Sequence, residues 1–250
     1  MNIKKNIPNL FTLGNLFCGC IAIVAAFEGN LVWTAYLLGI ACVFDFLDGL
    51  VARILKVNSE IGKQLDSLAD VVSFGVVPGV IIFKLINQIM ITCGADTCAS
   101  SPISFLGFLV TIFSAIRLAK FNIDTRQSDS FIGLPTPANA IFIASIPILF
   151  DSDSFNEILQ QIVLNLYFLI PLSLVSSFLL IAPLPLFALK FKNFSWTDNK
   201  IRYLFLLFSL VLLIVFKFVG IPLIIILYIL LSIINNLFSK PKNVSSANDK

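Results

Sequence analysis

The residues with the most chemical content are Asp45-Phe-Leu-Asp48-Gly49-Leu-Val-Ala52-Arg53, followed by Gly62, Asp66 and Asp70. Their spacing reads D-x2-D-G-x2-A-R-x8-G-x3-D-x3-D. On helices, separations of three (Asp45, Asp48) and four (Asp66, Asp70) put each pair on one face. Four carboxylates gathered in one place repel one another and call for cations. Oxygen donors alone suit hard divalent ions, Mg²⁺ or Mn²⁺. A phosphate-bearing ligand would complete the coordination, and Arg53 offers a guanidinium for its oxygens. Gly49, Ala52 and Gly62 are small enough to admit a bulky ligand to the backbone, or to let helices pack closely. The spacing predicts metal-assisted chemistry on a phosphate. The plainer alternative is four aspartates that merely solvate helix ends, and their clustering beside Gly, Ala and Arg argues against it.

The surroundings of this stretch are intensely apolar. The chain has 250 residues, 58% of them hydrophobic and 12% charged, with a mean hydropathy of +0.97. Such a composition reads as membrane spans rather than a soluble core. Each Asp or Arg within a span costs ~2.5–3.5 kcal/mol on insertion scales, so an intramembrane cluster marks a functional site. There is no histidine, which removes imidazole catalysis and imidazole metal ligands. Cys18, Cys20 and Cys42 lie in apolar runs and read as small buried thiols. Cys93 and Cys98 flank a polar loop, where a disulfide and two free thiols are both open.

Eight spans are expected to position the acidic residues: 8–27, 31–54, 66–91, 103–121, 136–150, 161–186, 202–218 and 220–238. The fifth is short, and the sixth carries Pro171, Pro183 and Pro185, which predict kinks. The chain reads as a single domain over 1–239, with a catalytic half in 1–150, further spans in 160–239 and a polar cytosolic tail in 240–250. The N-terminal run contains Pro8, Asn9, Thr12 and Asn15 and reads as a retained span rather than a signal peptide. With the N terminus inside, 15 of the 17 basic residues fall on the cytosolic side. The outer side keeps Lys84 and Lys217, expected at helix ends, beside Glu28, Asp96, Asp151, Asp153 and Glu157. That is a positive-inside pattern with both termini cytosolic. The second span then ends, and the third begins, at the inner headgroup layer, where the two carboxylate pairs meet.

These residues match the signature of the CDP-alcohol phosphatidyltransferase family, including its additional upstream aspartate. The series Pro8-Asn9 to Gly19, Ser73 to Pro78, Arg117-Leu-Ala-Lys120-Phe-Asn122 and Gly133-Leu-Pro135-Thr136-Pro137-Ala138 resembles the bacterial integral-membrane branch that makes phosphatidylserine. The resemblance covers roughly the first 150 residues. It implies an all-α, polytopic enzyme of the cytoplasmic membrane that moves a phosphatidyl group from CDP-diacylglycerol to L-serine and releases CMP. Asp45, Asp48, Asp66 and Asp70 are implied as ligands of a pair of Mg²⁺ or Mn²⁺ ions, with Asp70 also the general base. Gly49, Arg53 and Ser59 are implied as contacts of the CDP moiety, with Ala52 and Gly62 in the same site. The implied partners are the two substrates, the bilayer and a second copy of the chain, with no nucleic acid.

Other polar residues carry two readings each. Asn15 either touches the nucleotide or makes an interhelical hydrogen bond. Arg117, Lys120 and Arg126 either hold an anionic group of the acceptor or lipid, or simply follow the positive-inside rule. Thr136 either contacts the acceptor or belongs to a turn and helix cap. Glycerol 3-phosphate, inositol phosphate or choline are rival acceptors. A cation transporter is a distant rival, because transporters place ion sites near the bilayer midplane.

Overall fold

Apolar runs in lipid must satisfy every backbone polar group internally, and helices do so within a single segment. The computed structural model describes residues 3–57, 59–92, 101–123, 130–150, 157–187 and 195–238. Its helices are α1 (Ile3–Phe27), α2 (Leu31–Leu55), α3 (Glu60–Asp70), α4 (Val77–Thr92), α5 (Phe108–Ile123), α6 (Thr136–Phe150), α7 (Glu157–Val163), α8 (Leu166–Ile181), α9 (Trp196–Phe216) and α10 (Gly220–Phe238). A π-turn at Val71–Val76 joins α3 to α4, giving one continuous helix over Glu60–Thr92.

That continuous helix is the centre of the molecule. Phe74, Val77, Ile81, Ile82 and Ile86 are fully buried in one cluster with residues of α1, α2, α5, α6 and α8. From Val77 to Phe83, α4 is apolar on nearly every side and is enclosed by other helices, while Lys84, Asn87 and Gln88 follow. Outward faces carry large exposed apolar side chains, among them Leu10, Phe17, Val43, Phe46, Leu207 and Ile214. Such faces suit lipid.

Neighbouring helices run antiparallel. Thr34 Oγ1 donates to Ala22 O (3.2 Å) and Thr12 Oγ1 to Asp48 Oδ2 (2.7 Å), so α1 and α2 pair head to tail. Thr111 Oγ1 donates to Gly75 O and Asn122 Nδ2 to Ser67 Oγ, which sets α5 against the central helix in the same way. The rings of Phe205 and Tyr228 lie 5.7 Å apart, so α9 and α10 form a hairpin about the 3₁₀ turn Lys217–Val219.

Five segments are long and apolar enough to cross a membrane: Asn6–Phe27, Leu31–Leu55, Glu60–Thr92, Pro102–Ile123 and Asn199–Leu237, the last containing the hairpin. Thr136–Leu149 and Leu166–Ile181 are apolar but shorter. The architecture is therefore an all-α, multi-pass membrane protein with one small exception. Strands β1 (Ser130–Ile132) and β2 (Pro185–Phe187) pair antiparallel, with Phe131 opposite Leu186. Gly133 permits this by adopting φ +79°, and its N–H reaches Leu184 O.

Two further expectations differ in detail. The sixth expected span, 161–186, divides into α7 and α8 because Asn165 caps α8, its side chain accepting from Tyr167 N at 2.9 Å. Pro183 then ends α8 early. Lys84 lies in the middle of α4 and donates Nζ to Phe27 O (3.2 Å) at the C terminus of α1, where a cation is favoured. Cys18 is buried and Cys42 half-buried, whereas Cys20 is exposed on α1. Cys93, Cys98, Arg126 and the 240–250 tail lie outside the described residues.

Candidate active site

Helix α2 brings Asp45 and Asp48 to its C-terminal end, where Lys56 stops it in the left-handed region (φ 52°). Ser59 restarts the chain as the N-cap of α3, its Oγ accepting from Gly62 N at 3.2 Å. This short reversal returns Asp66 and Asp70 beside Asp45 and Asp48. Carboxylate oxygens of Asp45, Asp48 and Asp66 all lie within 4.8 Å of one another. Asp70 is buried at the end of α3, one helical turn beyond Asp66.

Two residues of α1 hold the cluster in place. Thr12 Oγ1 donates to Asp48 Oδ2, and Asn15 Nδ2 donates to Asp70 Oδ1 at 3.1 Å. Asn15 is itself positioned by Ser73, whose Oγ donates to Asn15 O at 3.0 Å. Close approach here needs Gly19, since a Cβ on it would lie 2.5 Å from Ser73 Oγ. The π-turn begins directly after Asp70, and Thr111 Oγ1 engages the Gly75 carbonyl within it (2.9 Å). Such turns widen a helix locally and recur at functional sites.

The cluster fits a hard divalent cation. Every donor is an oxygen, three carboxylates converge, and Asp66 Oδ1 is buried without a hydrogen-bond partner. A neighbouring cleft of about 670 Å³ is lined by Pro8, Asn9, Thr12, Gly49, Ala52, Ser59, Gly62 and Lys63 as well as Asp48 and Asp66. At Gly49 an added Cβ would meet nothing within 4 Å, so the helix leaves open space there.

The remaining candidate residues separate clearly. Arg53 is exposed and is not part of the cleft lining. Asn15 makes the interhelical hydrogen bond and lies outside that lining. Arg117 is 8% exposed, lies 5.9 Å from the Phe121 ring centroid, and leaves Nε without a hydrogen-bond partner. Lys120 is exposed. Thr136 is buried at the start of α6, but its Oγ1 has no partner and therefore caps nothing. Sequence reasoning gave no role to Lys63 on the cleft wall or to Asn139, which is fully buried in α6. The available signal for Lys63 was its position one turn before Asp66. For Asn139 it was an amide in an otherwise apolar helix.

Residues 5–175 match the sequence model of one family, CDP-alcohol phosphatidyltransferase. The chain belongs to that family. Among curated relatives, the CDP-diacylglycerol–serine O-phosphatidyltransferase of Helicobacter pylori strain J99 is 39% identical over 152 residues, 60% of each chain. The enzyme of the same name from Bacillus subtilis is 32% identical over 160 residues, 62% of this chain and 80% of the relative. An archaetidylserine synthase of Methanothermobacter thermautotrophicus is 33% identical over 159 residues, 58% and 61% of the two chains. The alignment thus spans about 60% of the Helicobacter relative's length. In this CDP-alcohol phosphatidyltransferase domain the acidic residues come from two consecutive helices, α2 and α3.

Proposed function

We propose that the chain is a CDP-diacylglycerol–serine O-phosphatidyltransferase that makes phosphatidylserine and CMP. The carrying observation is the convergence of Asp45, Asp48 and Asp66 beside an open cleft, in a member of this family. The acceptor is supported by the relatives' names. They differ in the lipid, phosphatidyl or archaetidyl, and share serine.

Asp45, Asp48 and Asp66 would hold Mg²⁺ or Mn²⁺, in a pair with Asp70 contributing by family resemblance. A divalent ion held there would supply positive charge to the pyrophosphate and to the departing CMP. The CDP moiety occupies the cleft, with Gly49, Ala52 and Gly62 giving it access to the backbone. Lys63, and Arg53 from its exposed position, supply positive charge to the phosphates. Asn15 fixes the Asp70 carboxylate, which accepts the proton of the serine hydroxyl. As the serine oxygen bonds to the phosphorus carrying diacylglycerol, the bond from that phosphorus to the bridging oxygen breaks. CMP leaves with the electron pair. The basic residues at this end of the bundle support a cytosolic placement, where acyl chains stay in lipid and CMP departs into water.

The test is CMP release by purified protein with CDP-diacylglycerol and Mn²⁺ or Mg²⁺, across L-serine, glycerol 3-phosphate, inositol phosphate and choline. Release is expected with serine alone, lost with chelator and regained with metal. Asp66→Asn is expected to lower turnover by at least ~100-fold, the scale of losing one preorganised electrostatic group. Release driven by another alcohol, or indifferent to chelator, would overturn the assignment.

A further inference from the structure

The helix that carries Asp66 and Asp70 changes register directly after them. Up to that point it is regular, with Val71 N–H bonded to Ser67 O and Leu68 O. Beyond it, Val77 N–H reaches back five residues, to Val72 O. The π-turn thus places one extra residue between the carboxylates and the buried face of α4, equivalent to about 100° of rotation at 3.6 residues per turn. Because Val77, Ile81, Ile82 and Ile86 lock α4 in the core, the turn decides which way α3 faces.

Local sequence explains where the register breaks. Pro78 has no N–H for Phe74 O, the acceptor four residues back, and its ring would crowd that carbonyl in an α-helix. Neighbouring helices then fix the form that the break takes. On one side Ser73, fully buried, donates Oγ to Asn15 O on α1 at 3.0 Å, and Asn15 Nδ2 donates to Asp70 Oδ1 at 3.1 Å. One residue of α1 therefore grips the turn by its backbone and the carboxylate by its side chain. From α5, Thr111 Oγ1 donates to Gly75 O at 2.9 Å. Two glycines make room for this approach. A Cβ on Gly79 would run into Thr111 Oγ1, and one on Gly75 would lie 3.2 Å from Ser114 Cβ. Neither Ser73 nor Thr111 lines the cleft, so an effect of either on the reaction must pass through the turn.

We propose that Ser73 and Thr111 are positioning residues for the transfer, pinning the π-turn so that Asp66 and Asp70 face Asp45 and Asp48. Without the two hydroxyls the break at Pro78 is free to take another form, a simple kink among them. Helix α3 then turns on α4 and carries both carboxylates out of the cluster, while the core of α4 stays in place. The role in transfer rests on the reading of the chain as a phosphatidyltransferase.

Maleimide labelling follows the facing of α3 with no metal or substrate present. In a cysteine-free, full-length chain in detergent, Ala69→Cys and Ile82→Cys, both at fully buried positions, should resist the reagent. Leu68→Cys, at a position 65% exposed, should react. Adding Thr111→Val and Ser73→Ala is expected to open Ala69→Cys to the reagent while Ile82→Cys stays protected. Unchanged protection of Ala69→Cys overturns the proposal. Exposure of both means that the hydroxyls only hold the bundle together, which overturns it too. If the double variant does not fold, Thr111→Val alone carries the labelling. Kinetics supply the second readout. Thr111→Val is expected to lower kcat at saturating Mn²⁺ by about 10-fold, with the KM values for L-serine and CDP-diacylglycerol little changed, and Thr111→Ser to restore it. A wild-type kcat in Thr111→Val, or a Thr111→Ser enzyme equally slow, overturns the role in transfer. If wild type releases no CMP with any alcohol, the phosphatidyltransferase reading fails, and the labelling still decides whether the two hydroxyls set α3.

Discussion

Thr12 shows how one neutral side chain can govern a cluster of charges. Its hydroxyl donates to Asp48 Oδ2 at 2.7 Å and also reaches Pro8 O at 3.3 Å, so it ties the carboxylate to a different helix. Orienting partners of this kind are typically worth 10–100-fold in metal affinity or activity. Thr12→Val keeps the shape and removes the donor. It is expected to raise the Mn²⁺ concentration for half-maximal activity by about 10-fold, with activity largely recovered at saturating metal. A metal titration of CMP release reads this directly, and an unchanged midpoint would show that Asp48 needs no such restraint. The meeting of the two carboxylate pairs was legible in their spacing, because i,i+3 and i,i+4 relations fix a face. The donors were not legible. Thr12 and Asp48 are 36 residues apart, and their contact depends on how α1 is rotated against α2, which no local pattern encodes. Asn15 was readable only as a pair of alternatives, since an intramembrane amide announces a partner without naming it.

At the scale of elements, the central helix and its neighbours approach through glycine. A Cβ on Gly107 would lie 2.7 Å from both Gly79 O and Phe83 N, backbone atoms that cannot move aside cheaply. Gly39 is also helical, but a Cβ there would meet nothing within 4 Å. The same substitution should therefore act in opposite directions at the two sites. Gly107→Ala is expected to destabilise by about 1–3 kcal/mol through overpacking. At roughly 2–4 °C per kcal/mol for a chain of this size, Tm in detergent falls by several degrees. Gly39→Ala should hold or raise Tm, as helix-interior glycines cost about 0.5–1 kcal/mol relative to alanine. Equal shifts would mean that backbone entropy, and not close packing, dominates both. Apolar runs made most of these helices legible, including the break near residues 217–220. The π-turn was not, because Ser73 packed against Gly19 and Thr111 bonded to Gly75 hold it through tertiary contacts. The strand pair escaped notice for a similar reason. Three residues on each side lie 53 or more positions apart, and neither segment has a strand's alternation.

Across the whole molecule, the polar work gathers at one end. The carboxylates, the Lys63–Asn122 contact, the strand pair and the bond from Asn236 Nδ2 to Pro185 O all lie there. The opposite end holds the Glu28–Asn30 turn, the Lys84–Phe27 bond and the Lys217–Val219 turn. Basic residues follow the same division, with Lys56, Lys63 and Lys120 at the carboxylate end. A transmembrane protein with this asymmetry should insert with that end in the cytosol. Donor lipid, serine and departing CMP would then share one compartment. Single cysteines in a cysteine-free background test this with a membrane-impermeant thiol reagent. Glu28→Cys sits in an exposed turn and should label in intact cells. Lys56→Cys occupies a left-handed position that suits cysteine no worse than lysine, and it should label only after permeabilisation. Labelling in the reverse order would place the carboxylates outside. It would separate the site from its nucleotide-activated lipid and overturn the cytosolic mechanism, while leaving the bundle's geometry as it stands.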